Sequence, residues 1–253
     1  MRSVYHAYRL DFLLFMKTWG IGLLSSSFTF LLLLISQPPG DFPEAAYFFL
    51  SPILIWFYFA PAKRVVWVAV FAGGFLYHIL LVGWIRHVSF PGMVLASLVL
   101  SLYNLPWYLL AYRWMPIAIN SSFVTRILFI TALASFWVFI EWARSLFSLG
   151  FPWCPLSVTQ WERPAILQLV PFFGGWIVSF FLIFFNLCYS PTCITFWCEG
   201  GRIDKVVTFH HFALNFTCAW LSFWSCFPPY FLDLQKRSIM KLRRLEWEFV
   251  SPI

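Results

Sequence analysis

Glu141-Trp142-Ala143-Arg144-Ser145-Leu146-Phe147-Ser148-Leu149-Gly150-Phe151-Pro152-Trp153-Cys154-Pro155-Leu156-Ser157-Val158-Thr159-Gln160 decides the reading of this chain. It lies between two long apolar runs. Glu141 and Arg144 stand three residues apart, Gly150-Phe151-Pro152-Trp153 follows, and Gln160 ends the stretch. A helix that merely faces lipid has no use for this set. Gly and Pro break helices, and Phe and Trp suit the headgroup level. Two charges must face protein, water or headgroups, because charge in hydrocarbon is costly. The stretch therefore predicts a shaped loop at one membrane surface, held by the apolar helices on either side.

The whole composition agrees. Of 253 residues, 61% are hydrophobic and 11% charged, with mean hydropathy +0.79. Soluble domains carry roughly a quarter charged residues. The fold class predicted is all-α, a polytopic helical membrane bundle of about seven transmembrane helices whose backbone groups are paired internally. A net charge of +7 reads as membrane topology rather than nucleic-acid binding, since Lys and Arg mark loops that stay untranslocated. Six cysteines show no CxxC pair and no zinc spacing, so they read as small apolar filler.

Apolar runs long enough to cross a bilayer place the spans at about 19–35, 45–60, 65–85, 93–112, 123–142, 165–189 and 206–227. Residues 1–18 form a cytoplasmic N-terminus with an uncleaved anchor, and 228–253 form a basic tail. Gly73-Gly74 inside the third span invites close helix approach. Asn104, Asn186 and Asn215 read as hydrogen-bond glue between helices. With the N-terminus inside, nine basic residues fall on the cytoplasmic side against three outside (Arg86, Arg144 and Arg163) before the tail. That orientation puts the Glu141–Gln160 stretch on the outer face. The tail, with Lys236, Arg237, Lys241, Arg243 and Arg244, runs against the pattern, so it reads as an aberrant end or as an amphipathic helix on anionic lipid.

Glu141 and Arg144 share one helical face. They read either as a mutually neutralising pair or as a substrate contact, Arg144 meeting a phosphate and Glu141 orienting it. Trp84, Arg86 and His87 read either as an interfacial anchor with a snorkelling Arg or as part of the same lipid-facing site. No Ser/His/acid set, nucleophilic Cys beside a base, HExxH, P-loop or GxGxxG occurs in the chain. The first four spans lack acids apart from the border residue Glu44, which argues against an ion-coupled transporter.

These residues resemble the membrane part of bacterial apolipoprotein N-acyltransferases. The resemblance rests on Ser36-Gln37-Pro38-Pro39-Gly40-Asp41-Phe42-Pro43, Gly83-Trp84-Ile85, Glu141-Trp142-Ala143-Arg144, Gly150-Phe151-Pro152-Trp153 and Gln160, with Gln168, Gly174 and Ser179-Phe180 following. It covers roughly residues 20–190. The family usually has Gly-Tyr shortly before the Gln, where this chain has Ser157 and Val158. The resemblance implies transfer of an acyl chain from a phospholipid donor to the amino group of a diacylglyceryl-cysteine on a lipoprotein, in the bacterial cytoplasmic (inner) membrane, through a Cys thioester. It implies no cofactor and no metal. Its lipid- or substrate-binding residues would be Trp84, Arg86, Glu141, Arg144, Gly150, Phe151, Pro152, Trp153 and Gln160. The family's Glu-Lys-Cys set lies in a nitrilase-like domain that this sequence lacks, so no catalytic residue carries over. The expectation is a truncated or split enzyme, inactive alone, or else a lipid-docking module working with a separate nitrilase-like subunit, or a decayed remnant.

Overall fold

The computed structural model describes residues 18–40, 42–119, 121–146 and 152–198. The expected seventh span, the basic tail, the N-terminal residues 1–17 and the site residues Gly150 and Phe151 lie outside them.

The described chain is a helical membrane bundle. Its helices are α1 (Trp19–Ser36), α2 (Ser51–Tyr58), α3 (Lys63–Leu81), α4 (Phe90–Ile119), α5 (Phe123–Leu146), α6 (Pro164–Leu167), α7 (Val170–Phe173) and α8 (Trp176–Cys198). Four of them, α1, α3, α4 and α5, are long and apolar enough to cross a membrane. Their outward faces carry Leu24, Leu76, Leu95, Leu128 and Phe139 bare of cover. A soluble bundle would put charges there; lipid takes these side chains as they are.

The run expected as one span over 45–60 is broken. Pro43–Tyr47 forms a 3-10 turn, residues 48–50 turn again, and α2 begins only at Ser51. Pro43 and Pro52 each open a helical piece at its first or second position, where a missing N–H costs nothing. Phe49, Leu50, Ile53, Trp56 and Phe57 of this segment are completely buried. Irregular backbone at membrane depth is tolerated only when protein surrounds it, and Asn186 of α8 supplies the missing partners. Its amide oxygen accepts from the Leu50 N–H at 3.0 Å, and its amide nitrogen donates to the Ala46 carbonyl at 2.8 Å. Asn104 of α4 meets His78 of α3 at 3.4 Å. Both asparagines thus join helices, as the sequence implied; Asn215 lies outside the described residues.

The expected sixth span also starts late. Pro164 and Pro171 open the two single turns α6 and α7, and Gly174 ends the second with φ at +71°, in the left-handed region that suits glycine. The long helix begins at Trp176.

Helices α1 and α3 pack at Gly73, where an added Cβ would meet the Ser26 hydroxyl and come to 2.9 Å from the Phe30 ring. Ser26 itself donates to the Ala69 carbonyl at 2.7 Å. Gly73→Ala therefore forces the two helices apart and should cost about 1–3 kcal/mol, read as a lower midpoint of detergent-driven unfolding. Gly83→Ala is the matched control, because nothing lies within 4 Å of its Cβ position.

Candidate functional site

Three loops meet at one end of the bundle: those after α1, after α3 and after α5. The contacts that bring them together are side chain to backbone. Gln160 is completely buried and donates to the Pro43 carbonyl at 2.9 Å, while the Tyr47 hydroxyl donates to its amide oxygen at 3.3 Å. On the outside of the same seam Arg163 pairs with Glu44. That pair is half exposed, so solvent and salt leave it worth less than about 1 kcal/mol. The seam is held by Gln160.

Glu141 lies on the last turns of α5. Its Oε1 accepts from the Trp137 indole N–H at 3.0 Å and from the Leu156 backbone N–H at 2.7 Å. One carboxylate oxygen thus ties the helix to the loop folded over its end. Arg144, one turn on, donates to the Trp153 carbonyl at 3.2 Å. Each of these two residues is only 6% exposed, and they do not pair with each other. Of the two sequence readings, the mutually neutralising pair does not describe this arrangement. Both side chains brace the underside of the 152–160 loop. Ser179 of α8 completes the brace by accepting from the Ser157 N–H at 3.1 Å.

What the braced loop presents is Trp153. Its ring lies 5.4 Å from that of Trp84, centroid to centroid, tilted by 42°. The two rings are 45% and 49% exposed. Trp84 comes from a 3-10 turn, Gly83–His87, that caps α3 and also exposes Arg86 and His87. An aromatic shelf thus stands on a loop fixed from below, with the exposed Arg86 two residues on from Trp84, an arrangement that suits a lipid headgroup. Pro152 precedes it, also exposed.

Cys154 directly follows the shelf with φ at +46°, a strained value for a residue with a side chain. Burial pushes its thiol above the ordinary range, and the nearby Arg144 only partly offsets this. A nucleophilic cysteine needs the opposite shift. Among the described residues no group of three His, Cys, Asp or Glu side chains converges as a metal site requires.

Of the sequence-predicted site residues, the structure brings Trp84 together with Trp153, and Glu141 together with Arg144 and the loop. Gln160 sits at the seam with residues 43–47. One contributor was not singled out from sequence: Tyr47, whose hydroxyl donates to Gln160, gave no signal there.

Comparison with known proteins adds to this geometry. A family model described as the apolipoprotein N-acyltransferase N-terminal domain matches residues 30–188. The apolipoprotein N-acyltransferase 1 of Treponema denticola is 32% identical over 81 residues, covering 32% of this chain and 15% of the relative. The apolipoprotein N-acyltransferase of Haemophilus ducreyi is 35% identical over 96 residues, covering 38% of this chain and 17% of the relative. The matched segments are thus a small part of either relative. The family match spans more than half of the present chain and takes in the Trp84 turn, the Glu141–Arg144 brace and the Gln160 seam, so the chain belongs to the apolipoprotein N-acyltransferase N-terminal domain family.

Proposed function

We propose that this chain serves acyl transfer from a phospholipid to the N-terminal diacylglyceryl-cysteine of lipoproteins, by binding and orienting lipid at the bundle end that carries Trp84, Arg86 and Trp153. The family match over residues 30–188 carries this reading. In the proposed orientation the chain sits in the bacterial inner membrane with its N-terminus cytoplasmic, and the shelf faces outward. Trp84 and Trp153 cover the glycerol region of a lipid, and Arg86 meets the phosphate. Glu141, Arg144 and Gln160 are positioning residues that act through the loop. Holding the donor lipid in one pose is a proximity contribution.

The test is photocrosslinking in membranes holding this protein. A phospholipid with a photoreactive group near its headgroup should label the peptides around Trp84–His87 and Trp153 above all others. Even labelling along α1, α3 and α5 would sink the reading. Trp84→Ala and Trp153→Ala should each lower specific labelling about tenfold, a loss of about 1.4 kcal/mol. Since both rings are half exposed, unfolding stability should change by no more than about 1 kcal/mol. The double variant should lose less than the sum, by about 0.5–1.5 kcal/mol, if the two rings act together.

A second reading, a lipid-docking module that does not itself carry the acyl group, is favoured by Cys154. Were this chain to carry the acyl group itself, the Cys154 thiol beside the shelf would be the candidate to form the thioester. Burial raises the Cys154 thiol from an ordinary value of 9.0, so its alkylation rate should still be climbing above pH 9. A rate that levels off near neutral pH would restore it as a nucleophile. Lipid crosslinking without lipopeptide acylation, together with co-purification of a nitrilase-like subunit, would favour the docking module. Crosslinking with acylation that survives Cys154→Ala would place the nucleophile elsewhere.

A further inference from the structure

Behind the loop lies a group of polar side chains that reaches deeper into the bundle than the brace itself. Gln37 follows α1, Tyr77 is on α3, Tyr108 on α4, and Glu141 and Arg144 are on α5. Each is more than nine-tenths buried. The Tyr77 hydroxyl stands beside the Gln37 side chain and within electrostatic reach of Glu141, Arg144 and Cys154. Tyr108 neighbours Tyr77, and both rings pack on Phe30, with centroids 5.5 and 5.7 Å away. Tyr108 also packs on Trp137, 6.4 Å between ring centroids, and the Trp137 indole bonds Glu141, so the five residues form one group running from the loop end toward the middle of the bundle.

Four of the five keep a polar atom without a hydrogen-bond partner: Gln37 Oε1, Tyr108 OH, Glu141 Oε2 and Arg144 Nε. Buried polar groups in folded proteins are satisfied almost without exception, so these atoms point to a ligand. Their kinds define it. Gln37 Oε1 and Glu141 Oε2 stand as acceptors, Arg144 Nε only donates, and a tyrosine hydroxyl does both. An anion would suit Arg144 and be repelled by Glu141. A metal cation would suit the carboxyl group and be repelled by Arg144. Only a small neutral group that both donates and accepts fits every member. Water is that group, and buried waters characteristically bind two to four polar atoms that would otherwise be orphaned.

We infer that Gln37, Tyr77, Tyr108, Glu141 and Arg144 form an internal hydration site, a cluster of ordered water linking α1, α3, α4 and α5 beneath the 152–160 loop. The site does not rest on the transfer reaction, and it shares Glu141 and Arg144 with the brace beneath the shelf. It lets Glu141 spend one oxygen on the loop and the other on water, and so keeps a charged brace within an apolar bundle.

Radiolytic hydroxyl-radical footprinting of the full chain in lipid nanodiscs tests it. Radicals made from bound water oxidise the side chains beside it even when bulk solvent cannot reach them. Tyr77 and Tyr108 should be oxidised several-fold faster than Trp56, which is equally buried but lies among apolar neighbours. Rates for both tyrosines as slow as that of Trp56 would overturn the inference. Gln37→Leu should slow Tyr77 oxidation several-fold while the exposed Trp84 and Trp153 keep their rates. If Tyr77 oxidation is unchanged in that variant, Gln37 holds no water and the assignment fails. A variant that had lost its fold would instead speed Trp56, and Tyr108→Phe then provides the same comparison at Tyr77 from the other side of the cluster.

Discussion

Glu141→Ala should be among the most damaging single changes in this bundle, at about 3–5 kcal/mol. The carboxyl group accepts from the Trp137 indole and from the Leu156 N–H, both in the interior. Deleting it orphans two buried donors and frees the loop whose Trp153 carbonyl Arg144 holds. Each orphaned donor costs about 1–3 kcal/mol. The midpoint of detergent-driven unfolding should fall steeply. Cys154, half-buried beneath the same loop, should at the same time become as reactive to maleimide as in the unfolded chain. Glu141→Gln keeps an oxygen able to accept both bonds, so it should cost about 1–2 kcal/mol and leave Cys154 protected. An alanine variant that melts with the wild type, Cys154 still protected, would mean that the loop is held by something other than this carboxyl group.

Asn186→Leu is the second. The two side chains share one branched heavy-atom skeleton, so the change removes the hydrogen bonds while keeping the shape. Without them the Leu50 N–H and the Ala46 carbonyl, both in completely buried residues, have no partner across the break before α2. Two unsatisfied backbone groups cost about 2–5 kcal/mol together. Typical side-chain hydrogen bonds between membrane helices contribute less than about 1 kcal/mol, because the separated helices find other partners. The larger figure here follows from the irregular backbone, which cannot pair within itself. Asn104→Leu, on a regular stretch of α4, should fall at the small end, and comparing the two by unfolding midpoint tests the distinction.

Much of the bundle was legible from apolar run length, because α1, α3, α4 and α5 are regular and a period of apolar residues is a local property. The break over residues 48–50 was not. It exists because a partner 136 residues away satisfies the backbone, and no local pattern carries that information. The same holds at the site. Trp84 and Trp153 were readable as headgroup-level aromatics, and the structure leaves both about half exposed, Trp84 in the turn after α3 and Trp153 on the 152–160 loop. Glu141 and Arg144 were readable as an i, i+3 pair, but their burial depends on a loop that folds back over α5, a non-local event. Gly174 was visible in sequence, yet only its backbone angle explains why the last described helix starts at Trp176 and not at Ala165.

The bonds from Asn186 also impose a timetable on synthesis. The Ala46 carbonyl and its Asn186 partner are 140 residues apart, so the ribosome finishes the broken segment long before it makes the residue that satisfies it. At about 5–20 residues per second, the segment waits on the order of ten seconds with exposed backbone. Until α8 arrives it cannot rest in hydrocarbon and must stay beside the insertion machinery or at the headgroup layer. Nascent chains arrested before residue 186 should therefore leave residues 43–50 open to water-soluble labels, and chains arrested well beyond it should not. The bundle closes from its last described helix inward, with its most buried segment settling late.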